Sequence, residues 1–165
     1  MAEPAPAPER TLLQTKGEYQ SGFGRILGLA RRELRIFDPD LSALALNSSE
    51  RIESVSRFLR SGQNRRVFIA LHEVDYVTKH CPRFIALLGI YASNIFINKT
   101  FGDAAKVQDC FVLADADHLV RRPVTAQPRG VLVIGDPKEC QPMRERFDEI
   151  WESSEPAVSA NTTGL

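Results

Sequence analysis

No apolar run in the chain approaches the ~20 residues that cross a bilayer, and no basic segment followed by an apolar stretch opens it. Neither a membrane span nor a secretion signal is expected. Cysteine is scarce: Cys81, Cys110 and Cys140 are odd in number and widely spaced, with no C-x-x-C pair and no Cys/His cluster at zinc spacing. That pattern excludes a disulfide framework and a zinc ribbon, and it predicts reduced core or near-surface thiols in a cytoplasmic protein. Net charge is lacking as well, because 21 Lys and Arg balance 21 Asp and Glu. Bulk electrostatic binding to nucleic acid or to an anionic membrane is therefore disfavoured. There is no internal repeat, and no cofactor or metal is expected.

The 165 residues present are 43% hydrophobic and 25% charged, the values of one globular domain with a real core. Charge is uneven along the chain. Residues 25–66 carry nine arginines against five acids, whereas residues 133–165 carry three bases against seven. Two copies with such asymmetry would be complementary, although solvated helix faces are the favoured account of it. Residues 1–17 read as a disordered, proline-rich arm, residues 18–153 as the domain, and residues 154–165 as a flexible tail.

Within the domain, apolar residues at three- and four-residue steps from Phe23 to Leu34 predict a first helix. Leu34 to Phe37 then forms a strand that Asp38-Pro39-Asp40 stops. Asn47-x-x-Glu50 has the form of a capping box for a second helix, closed by Gly62. Val67 to Leu71 is an unbroken apolar strand ending in His72-Glu73-Val74-Asp75, where Asp75 can cap a short helix. Pro82 opens the next helix, and Ile95 to Asn98 is a third short strand. Residues 109–122 then form a β-hairpin turning on 115–117, and residues 129–134 form a further strand. The last helix is placed near Gln141, with Pro142 at its first position. The early β-α-β-α-β run implies parallel strands with right-handed crossovers. The fold class is α/β, a mixed and mostly parallel sheet with helices on both faces.

Ligands of open parallel sheets gather at the carboxyl ends of the strands. The polar candidates there are Asp38 and Asp40, His72 and Asp75, and the hairpin. The hairpin, Gln108-Asp109-Cys110-Phe111-Val112-Leu113-Ala114-Asp115, resembles the catalytic strand of the phospholipase D superfamily, His-x-Lys, four residues, then Asp. In that family the His attacks phosphorus, the Lys neutralises phosphate oxygens and the Asp orients both. Here Asp115 fits the acid, while Gln108 stands at the His position and Cys110 at the Lys position. Glutamine is no covalent nucleophile, and cysteine brings no cation. The order of elements and the closing Phe147-x-x-x-Trp151 helix resemble one half of such an enzyme. The alternative is that Asp115 is only a turn residue.

More closely, residues 30–41, Cys81-Pro82-Arg83 and Glu149-Ile150-Trp151-Glu152 resemble a bacterial phospholipase-D-like domain of unassigned chemistry, also found behind GNAT-type acetyltransferases. No acetyltransferase half is present in this sequence. The resemblance implies a non-catalytic interaction or ligand-binding domain with a vestigial site at Gln108, Cys110 and Asp115. It also implies a homodimer, since two halves build one site in the family, or else another protein partner.

Two rival readings compete with this one. Asp38-Pro39-Asp40-Leu41-Ser42 and Gly135-Asp136 resemble the nucleophile and metal loops of a haloacid-dehalogenase-like, Mg²⁺-dependent phosphatase, which needs carboxylates from separate strand ends to meet. Arg121-Arg122 and the arginines of residues 25–35 suggest a nucleic-acid-binding module. Without interleaved aromatics and with zero net charge, a solvated face is the expectation for them.

Overall fold

A computed structural model describes residues 7–159. In chain order the elements are β1 (Glu9–Leu13), α1 (Lys16–Leu29), β2 (Glu33–Asp38), α2 (Ser49–Arg60), β3 (Arg66–Leu71), α3 (Asp75–His80), α4 (Pro82–Ile90), β4 (Ile95–Thr100), β5 (Cys110–Ala114), β6 (His118–Arg122), β7 (Gly130–Ile134), α5 (Pro137–Glu152) and β8 (Ser154–Val158). The strands form one eight-stranded sheet in the order β1-β7-β6-β5-β2-β3-β4-β8. Only β2–β3 and β3–β4 pair in parallel, and the other neighbours pair antiparallel. The sheet is mixed, as its sequence suggests, but antiparallel pairs outnumber parallel ones. The crossover helices give β2, β3 and β4 their common direction, short links make β5–β6 and β6–β7 antiparallel hairpins, and β1–β7, β2–β5 and β4–β8 pair antiparallel between strands distant in sequence.

Alternation along each strand sends side chains to two cores. Leu34, Ile36, Val112 and Val120 pack beneath α1, α2 and α4. Phe37, Phe111, Leu113, Leu119 and Val133 pack against Cys140, Met143 and Phe147 of α5. Helices thus cover both faces. At the start of β7 the backbone passes so close to β6 that a Cβ on Gly130 would lie 2.4 Å from the Arg121 carbonyl oxygen, which only glycine tolerates.

Several boundaries differ from the sequence expectation. The N-terminal segment is not an arm from end to end. Residues 9–13 pair with β7 and bury Leu13, and α1 begins at Lys16 under a Thr15 cap; residues 1–6 lie outside the described residues. The tail likewise contains β8, which pairs with β4 across an irregularity at Ile97/Asn98 that accommodates Pro156; residues 160–165 lie outside the described residues. Ser48, not Asn47, caps α2 by accepting from the Arg51 amide, while Asn47 Oδ1 accepts from the Arg83 amide. Asp75 is the first residue of α3 rather than its cap, which is Val74. The last helix starts at Pro137 under the Asp136 side chain, and Pro142 sits inside it on an exposed position. There the missing amide costs one intrahelical bond on the wet side, away from the packed stripe.

Candidate functional site at the carboxyl end of the parallel strands

The chain reverses at each end of the sheet so that β5 starts, and β6 ends, beside the carboxyl end of β2. Phe37 pairs with Phe111, and Cys110 with Arg122. The same register sets Asp38 beside Cys110, so Asp38, Cys110 and Arg122 form a row on the α1 side of three neighbouring strands. Tyr19 closes the row from above. Its hydroxyl donates to Cys110 Sγ at 3.7 Å, Arg122 Nε donates to the same sulfur at 3.5 Å, and the Arg122 guanidinium lies 5.0 Å from the Tyr19 ring centre. All four residues are buried.

Burial governs the electrostatics of the row. It pushes the Asp38 carboxyl up, against the backbone hydrogen bonds from Leu41 and Asp40 that pull it down. Burial raises the Cys110 thiol and the Tyr19 phenol too, each helped by the nearby Asp38. Burial alone would lower Arg122, but its hydrogen bond to Cys110 and the neighbouring thiol, phenol and Asp38 outweigh that and raise it. Asp38 Oδ2 accepts from the Leu41 amide at 2.7 Å and the Asp40 amide at 3.1 Å, holding Leu41 in the left-handed region at φ 73°. Its other oxygen, Oδ1, is buried without a hydrogen-bond partner.

A carboxyl raised by burial destabilises the fold once it must ionise. The favourable contribution is fully present below the unfolded value of about 3.9 and is lost as pH rises through the higher folded value. Asp38→Asn, whose amide oxygen can still accept from Leu41, is therefore expected to gain stability relative to the parent as pH rises from about 4 through the raised folded value. Parallel urea midpoints for parent and variant across that range would contradict this account of Asp38.

The residues singled out in the sequence part company here. Gln108 is exposed at the mouth of the row, whereas Cys110 is shut beneath α1. Asp115 lies at the other end of β5. At φ 55° its carboxylate accepts from the amides of Arg31 at 3.0 Å, Arg32 at 2.8 Å and Glu33 at 3.1 Å. The three positions of the motif therefore do not converge on one point.

His72 is on the opposite face from Asp38. Its ring is held between Thr100 Oγ1 and the Val107 carbonyl, 2.7 Å from each, and packs edge-on to Phe37. Asp40 accepts from the Ser42 amide and hydroxyl, and Asp75 is exposed on α3. Asp136 caps α5 at the far end of the sheet, because β7 runs opposite to β2. The phosphatase reading needs Asp38 and Asp136 on one cation, and the topology sets them at opposite ends. Among the described residues no group of three or more His, Cys, Asp or Glu is arranged to hold a metal ion.

Sequence reasoning missed Tyr19 as a member of the row and missed Asp109. Asp109 is 4% exposed and paired with Arg146 at 2.6 Å and Arg121 at 3.2 Å on the α5 side. The signal for Asp109 was its parity, opposite to that of Gln108 and Cys110 on the same strand.

Residues 16–161 match a family described as Domain of unknown function (DUF7931). The chain belongs to that family. Its fold is that of the phospholipase D family. Nuc from Salmonella typhimurium, a member of that family, superposes with a TM-score of 0.64 at 13% identity, over 93% of this chain and 100% of Nuc. NucT from Helicobacter pylori gives 0.62 at 12%, over 92% and 100%. TrmBL2, an archaeal chromatin protein, gives 0.64 at 15%, over 90% of this chain but only 54% of that one. A shorter stretch is 30% identical over 59 residues to the phosphonates import ATP-binding protein PhnC 2 of Pseudomonas savastanoi. It covers 36% of this chain and 21% of that protein, and the sequence has no G-x-x-x-x-G-K-[ST] loop to cradle nucleotide phosphates. No helix among the described residues is long and apolar enough to cross a membrane.

Proposed function

We propose that the chain is a non-catalytic, phospholipase-D-fold binding module that works as a homodimer, joined across the carboxyl end of its parallel strands. One observation carries the first half: Cys110, at the position of the family's lysine, is 0% exposed and bonded to Tyr19 and Arg122. A buried neutral thiol neutralises no phosphate oxygen. Gln108 can hydrogen-bond a ligand at the mouth of the row, but it can neither attack phosphorus nor relay a proton. Asp115 is committed to backbone amides and does not orient either.

Pairing is supported by length and by surface. The chain superposes over the whole of the Nuc and NucT chains, the extent of one structural unit. Phe101 and Val124, which follow β4 and β6 at this same end, are 48% and 40% exposed. A second copy would cover them and bring two Gln108 side chains towards one cleft. Sedimentation equilibrium is expected to give a dimer that Phe101→Glu/Val124→Glu converts to a monomer. The purified protein is expected to leave bis(p-nitrophenyl) phosphate intact. A parent that stays monomeric at high micromolar concentration defeats the pairing, and turnover abolished by Gln108→Ala defeats the non-catalytic reading.

A further inference from the structure

A second site lies at the amino ends of β2 and β3, the end of the sheet away from Gln108 and Cys110. There the α1–β2 turn and the α2–β3 turn enclose a cleft of about 420 Å³ lined by Arg31, Arg32, Glu33, Gln63, Asn64 and Arg66. The turns are fixed against one another, because the Arg66 amide donates to the Arg32 carbonyl oxygen at 3.2 Å. Asp115 holds the first turn from beneath through the Arg31, Arg32 and Glu33 amides.

The charges in this cleft do not cancel. Its one carboxylate, Glu33, is engaged by Arg35 Nη2 at 2.8 Å. The neighbouring Asp115 carboxylate is spent on three backbone donors. Among the described residues no carboxylate is ion-paired with Arg32 or Arg66. Guanidinium groups gathered round one concavity repel each other, and an anion between them relieves that repulsion. Their planar forks match phosphate oxygens bidentately, and the Gln63 and Asn64 amides add neutral donors.

We infer that this cleft binds a small molecule carrying a phosphate or diphosphate group, with Arg32 and Arg66 as its clamps. The lining contains no aromatic side chain on which a base could stack, and the basic surface is bounded by Glu33 and the acidic hairpin turn. Both features favour a compact anion over a nucleic acid strand. The inference is independent of the reading given above, since the two sites occupy opposite ends of the sheet.

Calorimetric titration of the full chain with pyrophosphate at low ionic strength tests it. The expected result is saturable binding that Arg32→Gln/Arg66→Gln weakens at least about tenfold, through the loss of charge-assisted bonds. Both side chains are exposed, so the unliganded melting temperature should stay close to that of the parent. If the double variant melts early, Arg66→Gln alone, with amide shifts at Gln63 and Asn64 read during the titration, replaces it. Absence of saturable binding overturns the inference, as does unchanged affinity in the variants. Binding to phosphatidate-containing vesicles or to an oligothymidylate without binding to pyrophosphate overturns it in favour of a membrane or a nucleic acid.

Discussion

Cys110→Lys, which puts a cation at the position the sequence resemblance aligns with a lysine, is expected to destabilise the protein by about 3 kcal/mol or more, because it buries an ammonium that the row cannot compensate. The thiol is fully enclosed between Tyr19 and Arg122, so the longer side chain has no route to water. Arg122 already supplies one cation there, and Asp38 is the one acid in the row, with one oxygen committed to backbone amides. Cys110→Ala is the control. It removes two weak sulfur hydrogen bonds and a small volume and should cost roughly 1 kcal/mol. Thermal melts are the measurement, with Cys110→Lys lowered by roughly 6–12 °C relative to the parent. The combined Gln108→His/Cys110→Lys variant should then hydrolyse no phosphodiester, since the new groups would sit in a disrupted row far from Asp115. A double variant that melts with the parent and turns over substrate would show that the site needs only its missing groups.

The same row shows how far the sequence could be read. Periodicity located the central elements well, because Val67 to Leu71 and the helix apolar stripes report their own burial. It could not find β1 or β8. Proline-rich surroundings and short, partly polar segments mark these strands, and only their partners β7 and β4 give them a reason to be extended. The hairpin was legible, and with it the fold. The site was less so. Asp38 was identified as a strand-end acid, but its face depends on the β2–β5 register, which places Asp38 with Cys110 and sends His72 to the other side. Arg122 was visible only as one of two adjacent arginines. Its neighbour Arg121 points the opposite way, to Asp109, and a one-residue difference in parity separates a buried structural group from a partly exposed one. The Gly-Asp loop shows the same dependence on direction: its sequence pattern suggests a partner for Asp38, yet β7 delivers it to the opposite end of the sheet.

Asp115→Ala is expected to cost about 3 kcal/mol, although the residue is at a turn and only half-buried. Two effects combine. The carboxylate closes the α1–β2 turn by accepting from three consecutive amides, and the Asp115 amide returns a bond of 2.9 Å to the Glu33 carbonyl oxygen. Alanine leaves those three donors to water or to nothing, and it also sits poorly at φ 55°, a region aspartate and asparagine tolerate better, at a cost of roughly 1 kcal/mol. The variants separate the two effects. Asp115→Asn keeps a carbonyl oxygen and the left-handed preference and should lose about 1 kcal/mol; Asp115→Gly relieves the backbone but supplies no acceptor and should fall between asparagine and alanine. Urea unfolding of the three gives the order directly. If alanine is as stable as the parent, the carboxylate is not what ties the hairpin to the α1–β2 turn. If glycine matches the parent, the conformation matters and the three hydrogen bonds do not. The order asparagine, glycine, alanine would assign Asp115 to holding the amino ends of the sheet together. It would thereby also tie the hairpin to the turn that carries Arg31 and Arg32.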